Sequence, residues 1–273
     1  MKIDWKEIAL EIYDKIKWEV SLLEKKPTLW AILVWNSLAS LRYIRQKKKW
    51  SEYTWINFKL LELDENISEK SLLNKIELFN NDENISGYIV QLPLPKHINE
   101  EKIINSTIPE KDVDWFHPIN QGKILIWDNS WFVPCTPAGI MEIIKYEEVD
   151  LPGKVVCVIG RSNIVWKPVV NLLINAWATV ISCNSNTINL EQFIKEADIV
   201  IIATGKPEML KENMLKKWST VIDVWFTIID WDIYWDADTE NIDKAWHNIT
   251  PVPGWVWPLT VAMLMNNTLK ASK

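Results

Sequence analysis

The sequence predicts an α/β protein of two lobes, each built on a parallel sheet covered by helices. Three observations carry that expectation. Apolar runs of strand length alternate with segments of helical periodicity, the pattern of strand–crossover–strand units. Val155 to Ile159 is apolar without interruption, as a strand covered on both faces should be. The alternation restarts after Pro137, so that 273 residues divide into two domains of ordinary size.

The elements follow in order. Ile8, Ile12, Ile16 and Val20 recur at helical spacing within 5–25. Leu29 to Val34 reads as a buried strand, 39–52 as a helix, 56–63 as a strand and 68–81 as a helix. Gly87 to Leu92 is a short strand stopped by Pro93-Leu94-Pro95, which cannot continue inside a sheet. In the second block a helix over 138–146 leads through a turn at Leu151-Pro152-Gly153-Lys154 to the Val155 strand. A helix then starts near Lys167-Pro168, where proline suits a first turn. Strands at 179–182, 199–203 and 220–224, with a helix at 190–197, complete a Rossmann-like unit. The apolar stripe of 259–269 predicts a terminal helix that packs back on the first block. The expected domains are therefore 1–136, completed by 258–273, and 137–257.

Composition narrows the function classes. A net charge of −6 disfavours a nucleic-acid partner. Apolar segments are too short for a membrane span, and the charged N-terminus lacks a signal-peptide core, so no membrane partner and a cytoplasmic location are expected. Cys135, Cys157 and Cys183 make no metal or CxxC pattern, and His97, His117 and His247 lack ligand spacing and read as surface or loop residues. No metal is expected.

The glycine count is anomalous. Average usage would give this length roughly nineteen glycines, yet the chain has seven, beside 18 tryptophans. The two together make 25, close to ordinary usage. Many tryptophans stand in turn contexts: Asp114-Trp115-Phe116, Asp223-Val224-Trp225, Ala176-Trp177-Ala178 and Gly254-Trp255-Val256-Trp257-Pro258. Such places favour a residue without Cβ. A gene whose UGA codons specify glycine, translated with a table that reads UGA as tryptophan, gives this string. Most of the tryptophans are accordingly expected to be glycine in the native protein.

Four local signatures carry chemistry. Tyr43 and Lys47, in Ser40-Leu41-Arg42-Tyr43-Ile44-Arg45-Gln46-Lys47, lie one turn apart on one helix face. Gln91-Leu92-Pro93-Leu94-Pro95 delivers an amide at the carboxyl end of a strand, where ligands bind in open α/β sheets. Pro109-Glu110-Lys111-Asp112-Val113-Asp114-Trp115-Phe116-His117-Pro118 sets two acids on either side of a valine. Gly160-Arg161-Ser162-Asn163-Ile164-Val165-Trp166-Lys167-Pro168 links a strand to a helix in a form that can cradle a phosphate, without being GxGxxG.

In this order, and with Pro134-Cys135-Thr136-Pro137 and the tail Thr250-Pro251-Val252-Pro253-Gly254-Trp255-Val256-Trp257-Pro258-Leu259-Thr260, the signatures closely resemble the bifunctional methylenetetrahydrofolate dehydrogenase/cyclohydrolase family over nearly the whole chain. That family has glycine where this chain has Trp5, Trp35, Trp55, Trp115, Trp166, Trp177, Trp225, Trp255 and Trp257. The resemblance implies a folate-binding catalytic domain, an NADP-binding domain, tetrahydrofolate one-carbon derivatives as substrates and a homodimer. It implies oxidation of 5,10-methylenetetrahydrofolate with NADP, then hydrolysis of the methenyl product to 10-formyltetrahydrofolate. Lys47 would be the central proton-transfer group, Gln91 would orient it, and Tyr43 would frame the reacting carbon. Asp114 would grip the pterin, with Pro251 and Gly254 also lining the substrate site, and Asp112 would be structural. Gly160, Arg161, Ser162, Ser185 and Phe226 would meet the cofactor, with Arg161 and Ser185 on its 2′-phosphate. A dehydrogenase without cyclohydrolase activity, a tryptophan-rich binding module and a shikimate-type dehydrogenase are the alternatives. The presence of Lys47, Gln91 and Asp114 argues against the first, the placement of the tryptophans at turns rather than on one periodic face argues against the second, and the third does not explain the set Tyr43, Lys47, Gln91 and Asp114.

Overall fold

The computed structural model describes residues 5–35, 38–128, 132–160, 162, 165–230, 232–245, 247–250 and 257–273. The chain divides into two compact units, one of Ala9–Cys135 with Thr260–Lys273, the other of Met1–Ile8 with Thr136–Leu259.

The chain opens on α1 (Trp5–Ser21). The first unit continues with β1 (Thr28–Leu33), α2 (Leu38–Tyr53), β2 (Asn57–Glu62), α3 (Glu69–Asn81), β3 (Gly87–Val90), α4 (Glu100–Ser106) and α5 (Pro118–Leu125). Its sheet is parallel in the order β2-β1-β3, with Leu29 opposite both Phe58 and Gly87. Ile32, Leu72, Ile76, Tyr88 and Ile103 form the centre of a core between β1, β3, α3 and α4. Each fully buried aliphatic side chain there contributes about 1.5–3 kcal/mol relative to exposure. Helix α3 starts at Ser68, whose hydroxyl accepts from Ser71 N–H at 3.2 Å.

The second unit is built from α6 (Cys135–Tyr146), β4 (Val155–Ile159), α7 (Trp166–Asn175), β5 (Thr179–Cys183), α8 (Leu190–Glu196), β6 (Ile199–Ile202), β7 (Thr220–Asp223), β8 (Phe226–Ile229), β9 (Asp232–Trp235), α9 (Thr239–Lys244) and β10 (Asn248–Ile249). The five-stranded sheet is parallel, in the order β10-β7-β6-β4-β5. Strands β4 and β6 are central and buried on both faces, which explains their unbroken apolar sequence. β8 and β9 form a separate antiparallel pair. The last helix, α10 (Trp257–Lys270), belongs to the first unit from Thr260 onward.

The backbone at the ends of several helices is informative. Ile56 N–H donates to Ser51 C=O at 2.9 Å and Trp55 N–H to Glu52 C=O at 3.3 Å, a Schellman closure of α2 with Trp55 at φ 61°. Asp128 N–H to Lys123 C=O and Trp127 N–H to Ile124 C=O close α5 in the same way, with Trp127 at φ 58°. Ala178 N–H to Leu173 C=O and Trp177 N–H to Ile174 C=O close α7, with Trp177 at φ 64°. Trp115 and Trp218 also lie in the left-handed region, at φ 70° and 63°.

Candidate active site

Helix α2 buries a single face made of Ser40, Ile44, Lys47, Ser51 and Thr54, spaced by four and three residues. Lys47 is only 8% exposed because it lies on that face, whereas Lys48 and Lys49 of the same basic run are exposed. Its ammonium donates to Gln91 Oε1 at 3.0 Å. Gln91 follows β3, where its N–H continues the ladder to Ile32 C=O at 2.9 Å. Its own Nε2 donates to Leu92 C=O at 2.9 Å, which turns Oε1 toward the lysine. Tyr43 is half-buried one turn before Lys47, and burial raises the pKa of its hydroxyl.

Burial lowers the pKa of Lys47, while the charge of Asp114 acts in the opposite sense. An amine held in that balance exchanges its proton more readily near neutrality than an exposed lysine does. Cys135 is itself pushed well above the ordinary thiol range, first by burial and then by Asp114, so it stays a neutral thiol beside the lysine.

Asp114 lies on a loop anchored from several sides. Tyr88 N–H of β3 donates to Lys111 C=O at 3.0 Å, and Asp112 bridges to Tyr88. The Asp112 carboxylate accepts from Phe116 N–H at 3.1 Å, His117 N–H at 2.8 Å and Asn120 Nδ2 at 2.8 Å. Burial nevertheless raises its pKa to about 7. The Val113 side chain fills the place a Cβ on Gly87 would need.

In the second unit, Gly160 ends β4, its N–H donating to Cys183 C=O at 2.9 Å. A Cβ on Gly160 would meet the indole of Trp166. Ser162 opens the turn into α7: its Oγ accepts from Val165 N–H at 3.2 Å and its C=O from Trp166 N–H at 3.2 Å. Ser185 is exposed in the loop after β5, inside a turn in which Asn184 N–H donates to Thr187 Oγ1 at 2.9 Å. Phe226 starts β8, and Trp225 before it donates its N–H to Asp223 at 3.3 Å. Arg161, Pro251 and Gly254 lie outside the described residues.

Residues 3–114 match the tetrahydrofolate dehydrogenase/cyclohydrolase catalytic domain, and residues 134–273 match the NAD(P)-binding domain of the same enzymes. The chain belongs to the tetrahydrofolate dehydrogenase/cyclohydrolase family. A bifunctional FolD protein of Nautilia profundicola is 45% identical over 99% of this chain and 96% of its own length. The crystal structure of the Campylobacter jejuni bifunctional enzyme superimposes with a TM-score of 0.96 at 39% identity, covering 100% of this chain and 98% of that one. The Trypanosoma brucei dehydrogenase-cyclohydrolase, solved with NADP and an inhibitor, gives 0.92 at 32% identity, covering 100% and 97%.

Within this family's fold, the structure brings Lys47 and Gln91 into direct contact and sets Asp114 close enough to act on the lysine's charge. Cys135 is the neighbour of Lys47 that the sequence did not single out. Its motif Pro134-Cys135-Thr136-Pro137 was the available signal, but nothing in it points to a lysine 88 positions away. His117 and His247 lie in loops, and both are buried there: His117 Nδ1 caps α5, accepting from Ile119 N–H at 3.1 Å, and His247 Nδ1 meets Ser219 Oγ at 3.1 Å. Among the described residues no cluster of three potential metal ligands occurs, and no helix is long and apolar enough to cross a membrane.

Proposed function

We propose that this enzyme oxidises 5,10-methylenetetrahydrofolate with NADP and hydrolyses the resulting methenyl compound to 10-formyltetrahydrofolate, with Lys47 as the proton-transfer group of the hydrolysis. The observation that carries the assignment is the buried Lys47 ammonium held by Gln91 at 3.0 Å in the field of Asp114. NADP, when bound, accepts the hydride from the one-carbon bridge. Positioning dominates that step. Hydrolysis needs a proton removed from the attacking water and one delivered as the five-membered ring opens, and Lys47 serves both. Gln91 fixes where its Nζ points, Tyr43 frames the reacting carbon, and Asp114 accepts from the pterin ring N–H and exocyclic amine. Pro251 and Gly254 complete the substrate side by analogy with the family. Replacement of Lys47 by methionine should cut methenyl hydrolysis by about 10²–10⁴-fold with the melting temperature preserved. Undiminished hydrolysis refutes the assignment.

The turn from β4 into α7 suits a dinucleotide phosphate, since Gly160 carries no Cβ and Ser162 opens the turn that leads into the helix. Gly160, Ser162, Ser185 and Arg161 would hold the adenosine end of NADP, with Arg161 and Ser185 on its 2′-phosphate, and Phe226 would meet the nicotinamide end. The indole of Trp166 does not fit this role, because it packs onto Gly160 itself.

We infer from this and from the helix ends that most tryptophans of the chain are glycine in the native protein. Among the described residues, five of the nine non-glycine residues at positive φ are tryptophan, and three of those five sit at the position of a Schellman closure where glycine normally stands. Trp5, Trp115 and Trp235 are buried with indole N–H groups that have no partner. Intact-mass measurement of the native protein tests this, and a mass equal to that of the written sequence overturns it. A Trp166→Gly variant should bind NADP more tightly than the written sequence. The exposed Ile229, Ile233 and Tyr234 of the β8–β9 pair support a homodimer, to be tested by sedimentation, and three free buried cysteines support a reducing cytoplasm.

A further inference from the structure

Asn267, on the terminal helix α10, is 3% exposed and lies 154 residues from Val113 in the chain. Its carboxamide nitrogen donates to Val113 C=O at 3.0 Å and to Val133 C=O at 2.8 Å, using both of its protons. Val113 immediately precedes Asp114, and Val133 stands two residues before Cys135. Cys135 Sγ lies 3.7 Å from both Val113 C=O and the Asn267 nitrogen. One side chain thus ties together the two segments that carry Asp114 and Cys135, both neighbours of Lys47.

We propose that Asn267 is a positioning residue for the folate site, setting the peptide plane between Val113 and Asp114 so that the Asp114 carboxylate meets the pterin. The inference rests on the proposed role of Asp114. The Val113–Asp114 peptide shares its plane with the Asp114 nitrogen, so a rotation of the Val113 carbonyl re-aims the bond from which the Asp114 side chain grows. Phe116, His117 and Asn120 hold the loop beyond Asp114 through Asp112, and Gly87 seats the Val113 side chain. Asn267 supplies the remaining restraint, on the carbonyl. Only a primary amide of this length donates to both carbonyls at once. An aspartate of the same shape donates to neither when ionised, and serine has a single, shorter donor.

The experiment measures KM for methylenetetrahydrofolate, KM for NADP and the melting temperature of the full-length enzyme for Asn267→Asp, Asn267→Ser and, in parallel, Asp114→Asn. Both Asn267 variants should raise the folate KM by about tenfold, since small misplacements at a site cost one to two powers of ten, with NADP KM changed less than twofold. Asp114→Asn should show the same split. An unchanged folate KM in folded Asn267 variants, a parallel rise of both KM values, or failure of both variants to fold assigns the amide to structure alone and overturns the proposal. If Asp114→Asn leaves the folate KM unchanged, the Asp114 reading itself fails. If Asp114→Asn shows the split and the Asn267 variants do not, only the positioning role of Asn267 falls.

Discussion

The most informative perturbation is the simultaneous replacement of Trp55, Trp127, Trp177 and Trp218 by glycine in protein expressed as written. These four combine φ values of 61°, 58°, 64° and 63° with exposures of 50%, 49%, 70% and 77%. The left-handed region costs an L-residue about 1–2 kcal/mol, and glycine returns part of that, up to about 1 kcal/mol, through unfolded-state entropy. Trp177 and Trp218 are largely outside, whereas the half-covered Trp55 and Trp127 lose apolar contact that offsets the backbone gain at those two sites. The net gain is roughly 0.5–1 kcal/mol at each of the two more exposed sites. Against it stands Trp55 under the ammonium groups of Lys17 at 5.2 Å and Lys26 at 5.9 Å, exposed contacts worth about 0.5–1 kcal/mol. The quadruple variant should therefore be about 1–2 kcal/mol more stable. At this size that raises the melting temperature by roughly 3–6 °C, measurable by circular dichroism. A variant that melts at or below the temperature of the written sequence refutes the claim that these backbone positions demand glycine.

Two further outcomes follow from the site. Gly87→Ala brings a Cβ onto Val113, whose own Cβ lies 3.2 Å from it, so a rotamer change cannot relieve the clash. It should cost about 1–3 kcal/mol as overpacking and raise the folate KM, and an unchanged KM with unchanged stability would show that Val113 yields freely. Asp223 has its pKa raised to about 8 by burial, against the hydrogen bonds it accepts from Ala237 and Trp225. The unfolded carboxyl ionises near 4, so the unfolded state loses this proton first as pH rises. Its contribution to stability is full below about pH 4 and is lost as pH climbs through about 8. Urea midpoints should fall between pH 6 and pH 9, and Asp223→Asn should flatten that slope, so that its stability relative to the parent improves as pH rises. An identical slope in the variant excludes Asp223 as the titrating group.

Periodicity was a good guide wherever one face or two faces of an element are apolar. Val155–Ile159 has the same bounds in the sequence reading and in the structure, because a central strand buried on both sides has no polar residue to blur it. Helix α2 was placed at 39–52 and extends over Leu38–Tyr53. The elements that escaped are held by something other than periodicity. α4 depends on Asn99, whose side chain accepts from Lys102 N–H at 3.1 Å, and α9 on Asp238, whose side chain accepts from Asn241 N–H at 3.4 Å. Helices of six or seven residues show too few turns for an apolar stripe to declare itself. The tryptophans sharpen the same point. They would argue against turns on aromatic content alone, yet the contexts around Trp115 and Trp177 read as turns, and the backbone there is left-handed.

The site was legible only as far as its groups are local. Tyr43 and Lys47 share a helix face, so four-residue spacing reveals them as a pair. Gln91 is found because a strand must end where proline begins. What surrounds Lys47 is not local at all. The lysine shares its buried face with Ser40, Ile44, Ser51 and Thr54, and Ser51 Oγ meets Met265 Sδ of α10 at 3.1 Å. Cys135 reaches the lysine from the first turn of α6, and Asn267 reaches Val113 from the same terminal helix that supplies Met265. Spacing within one element fixes which side chains can act together, but the dielectric they act in is made by segments far apart in the chain. α10 therefore packs against the helix that carries Lys47 and against the loop that carries Asp114, so a segment at the far end of the chain helps to set the surroundings of both.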